Sequence, residues 1–229
     1  MKLSELKTFG RAIVPAAKMQ KIDDTLFELI LRQGAIDVAK LTLCLPANKK
    51  FASQASIGDY SLSTIDSRFL TLEESGLWWQ NGTQYKKLYA RTREWMDNTI
   101  ENWRDRAAGT PQWWFREGDT ITVIPKPTAA VADSFWIYYG RIPLPMSSED
   151  HYPFGNTVEI AHLNPLSHNI IDYLRWRALE ITGEGSLAAK AEETYYAKIA
   201  LARDHVMRNT TLLSQAVNKE TRLKGRQIC

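Results

Sequence analysis

The sequence predicts an α+β protein: a helical bundle built from an N-terminal helix and a C-terminal helix pair, an inserted antiparallel β-rich lobe, and an extended C-terminal arm. Three observations lead there. Apolar residues recur at helical spacing near both ends of the chain, short alternating runs punctuated by Gly and Pro fill the middle, and the apolar period fades after about residue 213.

Residues 1–17 read as a mixed arm, with Ala12-Ile13-Val14 broken by Pro15. A helix is expected from about Lys18 to Leu45, because Leu26, Leu29, Ile30, Ala35, Val38, Leu41 and Leu45 share a helical period. Gly34 interrupts this pattern at a cost of ~1 kcal/mol relative to Ala, so a bend or break is expected there. Pro46 ends the helix.

From Phe51 the period changes. Ser61–Ser63, Phe69–Leu72 and Tyr85–Leu88 read as strand fragments, and Leu77-Trp78-Trp79 as a loop or strand end. Arg91–Arg104 reads as a short helix with Trp95, Thr99 and Trp103 on one face. Three strands follow: Trp113–Arg116, Thr120–Ile124 and Phe135–Tyr139. The first two are joined by the Glu117-Gly118-Asp119 turn, and the second is stopped by Pro125-Lys126-Pro127. Strands consecutive in sequence usually pair, which makes an antiparallel meander the expected arrangement.

Residues 146–163 are irregular. Helical spacing returns with Ile170, Ile171, Leu174, Ala178 and Ile181. Gly183-Glu184-Gly185-Ser186 then links to a last helix, Leu187 to about Leu213, capped by Ser186. The expected organisation is therefore 1–48 with 160–213 as the discontinuous helical bundle, 49–159 as the inserted lobe, and 214–229 as the arm.

The 229 residues are 44% hydrophobic and 24% charged, with a net charge of +3, a balance that argues against general nucleic-acid binding. Basic residues gather at the end, in Lys219, Arg222, Lys224 and Arg226. Cys44 and Cys229 do not suggest a disulfide framework, and a reducing compartment fits. Met1 to Lys7 lacks the apolar run of a signal peptide. No window reaches ~18 uninterrupted apolar residues, so no membrane span is expected.

Catalytic signatures are missing. His151, His162, His168 and His205 do not pair at helical spacing and lie far from either cysteine, so no metal site is expected. The carboxylate pairs Asp23-Asp24, Glu73-Glu74 and Glu192-Glu193 read as solvated faces. No serine has the setting of a nucleophile elbow, and Gly183–Ser186 follows a helix rather than a strand, unlike a phosphate loop. No cofactor is expected.

The aromatics carry the remaining signal. The chain has 8 Trp, and Trp113, Trp114, Phe115, Trp136, Tyr138 and Tyr139 cluster in the three late strands. They could stack sugars or unpaired bases, so a β-rich module for carbohydrate or single-stranded nucleic acid is the alternative reading. Only Arg116, Lys126 and Arg141 accompany them in that segment, however, which favours core and protein interface.

Taken in order, the N-terminal helix, Asp59-Tyr60-Ser61-Leu62-Ser63, Gly109-Thr110-Pro111 with its aromatics and Gly-Asp turn, the strand ending in Pro125-Lys126-Pro127, the Tyr-Tyr strand and the helical pair resemble the head-to-tail adaptors of tailed bacteriophages, of the tail tubular protein A type. The resemblance spans roughly the first helix to residue 212; the stretches 73–108 and 151–163 depart from it. It implies a structural virion protein, not an enzyme, assembled in the host cytoplasm. Such a protein forms a ring, usually of twelve copies, between the portal protein and the tail nozzle protein, often touching a tail fibre. DNA would pass through the channel without sequence-specific contact. The resemblance further implies a portal-binding arm carrying Lys219, Arg222, Leu223, Lys224, Arg226 and Ile228. The subunit or tail interface would then be formed by Trp113, Trp114, Phe115, Trp136, Tyr138 and Tyr139.

Overall fold

The structure, a computed structural model, describes residues 1–13, 21–81 and 83–224, and the side chains of these other than 73–75, 81 and 207–224. The chain forms two compact units, Met1–Leu45 with Pro143–Cys229, and Pro46–Ile142. The class is α+β.

The helical unit begins with α1, Leu3–Ile13, where the sequence had suggested only an arm. Leu3, Leu6 and Gly10 fall on its buried side at i, i+3 and i+7, a period that the downstream proline obscured. The Glu5 carboxylate accepts the Lys2 amide N–H at 2.9 Å and ties down the first turn.

Helix α2, Asp24–Thr42, starts later than Lys18 because Asp23 caps it, accepting the Leu26 N–H at 2.7 Å. It runs through Gly34 without a break. A Cβ at Gly34 would lie 3.0 Å from Tyr173 and 3.2 Å from Ile170, so this glycine serves close helix approach rather than a bend.

After the irregular segment and a 3-10 turn over Ala161–Leu166, α5 spans Ser167–Ile181 and α6 spans Gly185–Lys224. (The helices α3 and α4 belong to the β unit.) Gly183, at φ +83, supplies the left-handed residue between α5 and α6. Helix α5 packs against α1, α2 and α6. Tyr195 of α6 is fully buried there, edge-on to Tyr173 and stacked on Trp176, and its hydroxyl donates to Asp37 Oδ2 at 2.7 Å.

Two further expectations change in this unit. Residues 143–159, expected with the β lobe, belong here: the Leu3 and Ser4 amides donate to the carbonyls of His151 and Glu149 at 2.9 and 3.1 Å. The segment 214–224, expected as extended arm, continues α6. From Ser186 to Lys224 there is neither Gly nor Pro, and Gln215, Ala216, Lys219, Glu220, Arg222, Leu223 and Lys224 are strong helix formers. The fading of the apolar period did not mark the end of the helix. Arg226 and Ile228 lie outside the described residues.

The β unit comprises β1 Pro46–Phe51, β2 Asp59–Ser61, α3 Leu62–Ile65, β3 Phe69–Asn81, β4 Gln84–Lys87, β5 Tyr89–Ala90, α4 Arg93–Thr99, β6 Trp113–Glu117, β7 Thr120–Ile124 and β8 Phe135–Arg141. Two four-stranded sheets result, ordered β1-β8-β3-β4 and β2-β7-β6-β5. Pairing is antiparallel except between β5 and β6.

The expected meander is half correct. Strands β6 and β7 form the hairpin, with Gly118 at φ +57 in its turn. Strand β8 instead joins the other sheet between β1 and β3. Pro125 and Pro127 cannot donate to a ladder, so the chain leaves β7. Residues 125–134 are ample to cross the ~10 Å between packed sheets.

The two sheets share one core. Leu77, Phe135, Ile137 and Tyr139 from the first meet Tyr60, Trp114, Ile121 and Val123 from the second. A smaller cluster of Met96, Phe115 and Ile124 seals the far side of the second sheet beneath α4.

Candidate interaction surfaces

The six aromatic residues proposed for contact divide by strand alternation. Along β8, Phe135, Ile137 and Tyr139 point inward while Trp136 and Tyr138 alternate outward. Tyr139 is fully buried. Its hydroxyl donates to Asp66, which also accepts from the Arg68 amide at 2.9 Å and Arg141 Nε at 3.2 Å. Burial works against the Asp66 carboxylate, but the Tyr139 hydroxyl, the Arg68 N–H and the charges of Arg141 and Lys49 together hold its pKa below the usual range.

Along β6, Trp114 is buried in the sandwich core and Phe115 in the smaller cluster. Tyr139, Trp114 and Phe115 are therefore packing residues and cannot reach a neighbouring protein in this fold. Trp113, Trp136 and Tyr138 are half-buried and keep one side at the surface.

Trp113 sits in a strip that crosses the edge of the second sheet. Arg91 lies over the Tyr89 and Trp95 rings at 5.7 and 4.8 Å. Trp95 is 6.2 Å from Trp113, and Arg106 lies 5.7 Å from the Trp113 ring. Tyr89 is 60% exposed, and neither arginine has a carboxylate within 4 Å among the described residues. Tyr, Trp and Arg are the side chains that carry most energy at protein interfaces. This strip is not legible in the sequence, because Tyr89, Arg91 and Trp95 are some twenty residues from Trp113; the parallel β5–β6 pairing brings them together.

Beside the strip lies a groove of about 290 Å³, lined by Gly58, Asp59, Arg93, Trp103, Phe115 and Lys126 among others. Most of its charges are already engaged. Arg93 pairs with Glu117 at 2.8 Å, Arg104 with Asp97 at 2.8 Å, and Thr122 Oγ1 donates to Asp59 at 2.6 Å. The Trp103 indole N–H donates to Asp97 at 2.7 Å and is the first reason its pKa falls below the ordinary carboxylate value, with Arg104 and Arg93 adding to it. These are wall-building interactions, and both carboxylates that line the groove, Asp59 and Glu117, are engaged in them.

Among the described residues, no group of three His, Cys, Asp or Glu side chains could hold a metal ion, and no helix is long and apolar enough to cross a membrane. His151 is engaged in the irregular segment, its Nδ1 accepting the Ser147 amide at 3.2 Å.

The residues expected to form the portal-binding arm are placed in part. Lys219, Arg222, Leu223 and Lys224 lie on the last turns of α6. The forty residues of α6 extend ~60 Å, against ~22 Å for the fifteen of α5. The antiparallel pairing of α5 with α6, marked by Asp172–Lys198 at 2.7 Å and by Tyr173 with Tyr195, exhausts α5 near residues 201–203. The C-terminal part of α6 therefore outruns that neighbour.

In comparison with known families, the family described as SU10 adaptor protein matches residues 1–218 of the chain. No curated protein matches it.

Proposed function

The chain belongs to the SU10 adaptor protein family, a head-to-tail adaptor family of tailed phages, and from that membership we propose that it forms a ring between the portal protein and the tail nozzle protein. It is a structural component of the virion that meets other head and tail proteins. The observation that carries the reading is the family match over residues 1–218, almost the full length of both units.

In this reading the activity is assembly. Twelve copies of the chain pack laterally and extend the DNA channel below the portal. The end of α6, with Lys219, Arg222, Leu223 and Lys224 and the following Arg226 and Ile228, docks on the portal protein. A long helix that outruns its neighbour supports this, since it offers a preformed element whose ordering cost is already met. The strip of Tyr89, Arg91, Trp95, Arg106 and Trp113 contacts the nozzle, a tail fibre or the next copy. Its exposed aromatic and guanidinium groups support that role.

Deletion of residues 214–229 tests the proposal. The truncated chain is expected to keep the helical circular dichroism of the remaining fold but to lose attachment to DNA-filled heads. If it still joins them and retains the genome, the docking role of α6 is wrong. If intact protein fails to bind portal-containing heads at all, the adaptor reading itself fails.

A further inference from the structure

The outer face of the sheet β1-β8-β3-β4 has no part in the packing described so far. Ladder register aligns Lys87, Trp78, Trp136 and Lys50 in one row across β4, β3, β8 and β1. Tyr85 lies edge-on to Trp136 at 5.5 Å, and Tyr138 lies 5.0 Å from it on the other side. The Lys50 ammonium sits 5.1 Å from the Tyr85 ring and 5.5 Å from the Trp136 ring, and Asn48 accepts the Trp136 indole N–H at 3.2 Å. The four aromatics are half-buried and both lysines are exposed.

Among the described side chains the charge of this face is one-sided. Strands β1, β4 and β8 contain no Asp or Glu. Glu73 and Glu74 of β3 fall in the irregular stretch between Leu72 and Leu77. Among the described residues neither Lys50 nor Lys87 has a carboxylate within 4 Å. A neutral sugar would gain little from two bare ammonium groups. A single-stranded polynucleotide uses both features, with bases against the aromatic row and phosphates at its charged ends. The row spans three inter-strand gaps, ~14 Å, enough for successive bases between Lys50 and Lys87.

We propose that this sheet face is a binding surface for single-stranded nucleic acid, with Trp136, Trp78 and Tyr138 as the stacking groups and Lys50 and Lys87 as the phosphate contacts. Composition spoke against this ligand because the aromatic segment held too few cations. The fold supplies them from β1 and β4, which are remote in sequence. The inference goes beyond the adaptor role and does not rest on it.

Fluorescence anisotropy of a labelled oligo-dT of about 15 nucleotides, titrated with the full chain near 50 mM salt, tests it. Binding with quenching of Trp emission is expected. The double variant Lys50→Ala/Lys87→Ala, both positions exposed, should fold normally and lower the slope of log K against log salt by about 1.4. Trp136→Leu should weaken binding about 10-fold. If the wild type does not bind, or the lysine variant keeps the full salt slope, the proposal is overturned. It is also overturned if duplex DNA of equal length binds as tightly as oligo-dT. If polyglutamate displaces the oligonucleotide as well as unlabelled oligo-dT does, the face is a dock for an acidic protein and the proposal fails.

Discussion

Replacing Tyr195 with Phe removes one oxygen from the centre of the helical unit and leaves the ring packing in place. The hydroxyl it removes is fully buried and donates to Asp37 Oδ2 at 2.7 Å, joining α6 to α2. Burial first, and then the Asp37 carboxylate, push the Tyr195 pKa far above that of free tyrosine, so the group is a proton donor throughout the working pH range. A hydrogen bond to a charged partner contributes about 1.5–3 kcal/mol. Asp37 is only half-buried, so water can replace part of what is lost, and the lower end, about 1.5 kcal/mol, applies. At this chain length each kcal/mol moves Tm by about 2–4 °C, which gives a fall of about 3–6 °C. Thermal melting followed at the helical far-ultraviolet band measures it. Tyr85→Phe, which loses a hydrogen bond to the Asp133 carbonyl at an exposed site of the β unit, serves as the control and should leave that helical transition in place. A Tyr195→Phe transition unmoved from wild type would refute the argument that this pair ties α2 to α6.

Two further outcomes are expected. Because Asp66 has a folded pKa below its unfolded value, its contribution is fully present above the unfolded carboxylate pKa, near 4, and is lost as pH falls through the folded pKa. Asp66→Asn should therefore flatten the acid limb of a urea-stability profile of the β unit, and an unchanged limb would contradict the assignment. Cys44 is buried, and burial raises its thiol pKa to about 11, so at pH 8 only ~0.1% is thiolate. In a Cys229→Ser background a thiol reagent should label the chain only after denaturant is added; prompt labelling in buffer would show that Cys44 is not sealed in the fold.

The sequence alone determined the class of the protein and the buried faces of two of its helices. Helical periodicity in 26–45 and 170–181 reports which faces must leave water, and that requirement is local to each helix. The hairpin between β6 and β7 was equally legible, since Gly118 and two alternating runs specify it without distant partners. Where a signal was weak or depended on a neighbour, only the tertiary structure decided. The start of α1 was masked by Pro15, and Gly34 looked like a helix defect until α5 was seen lying against it. Strand β8 carries an ordinary alternating pattern, and nothing in that pattern says which sheet it will join; the proline-stopped crossover and the open place between β1 and β3 settle it. The aromatic surface follows the same logic. Period-two alternation says that half of Trp113, Trp114, Trp136, Tyr138 and Tyr139 must face inward, but not which side becomes the core. That choice rests on the second sheet, and the pairing of β1 with β8 brings Lys50 beside Trp136, a ring remote from it in sequence.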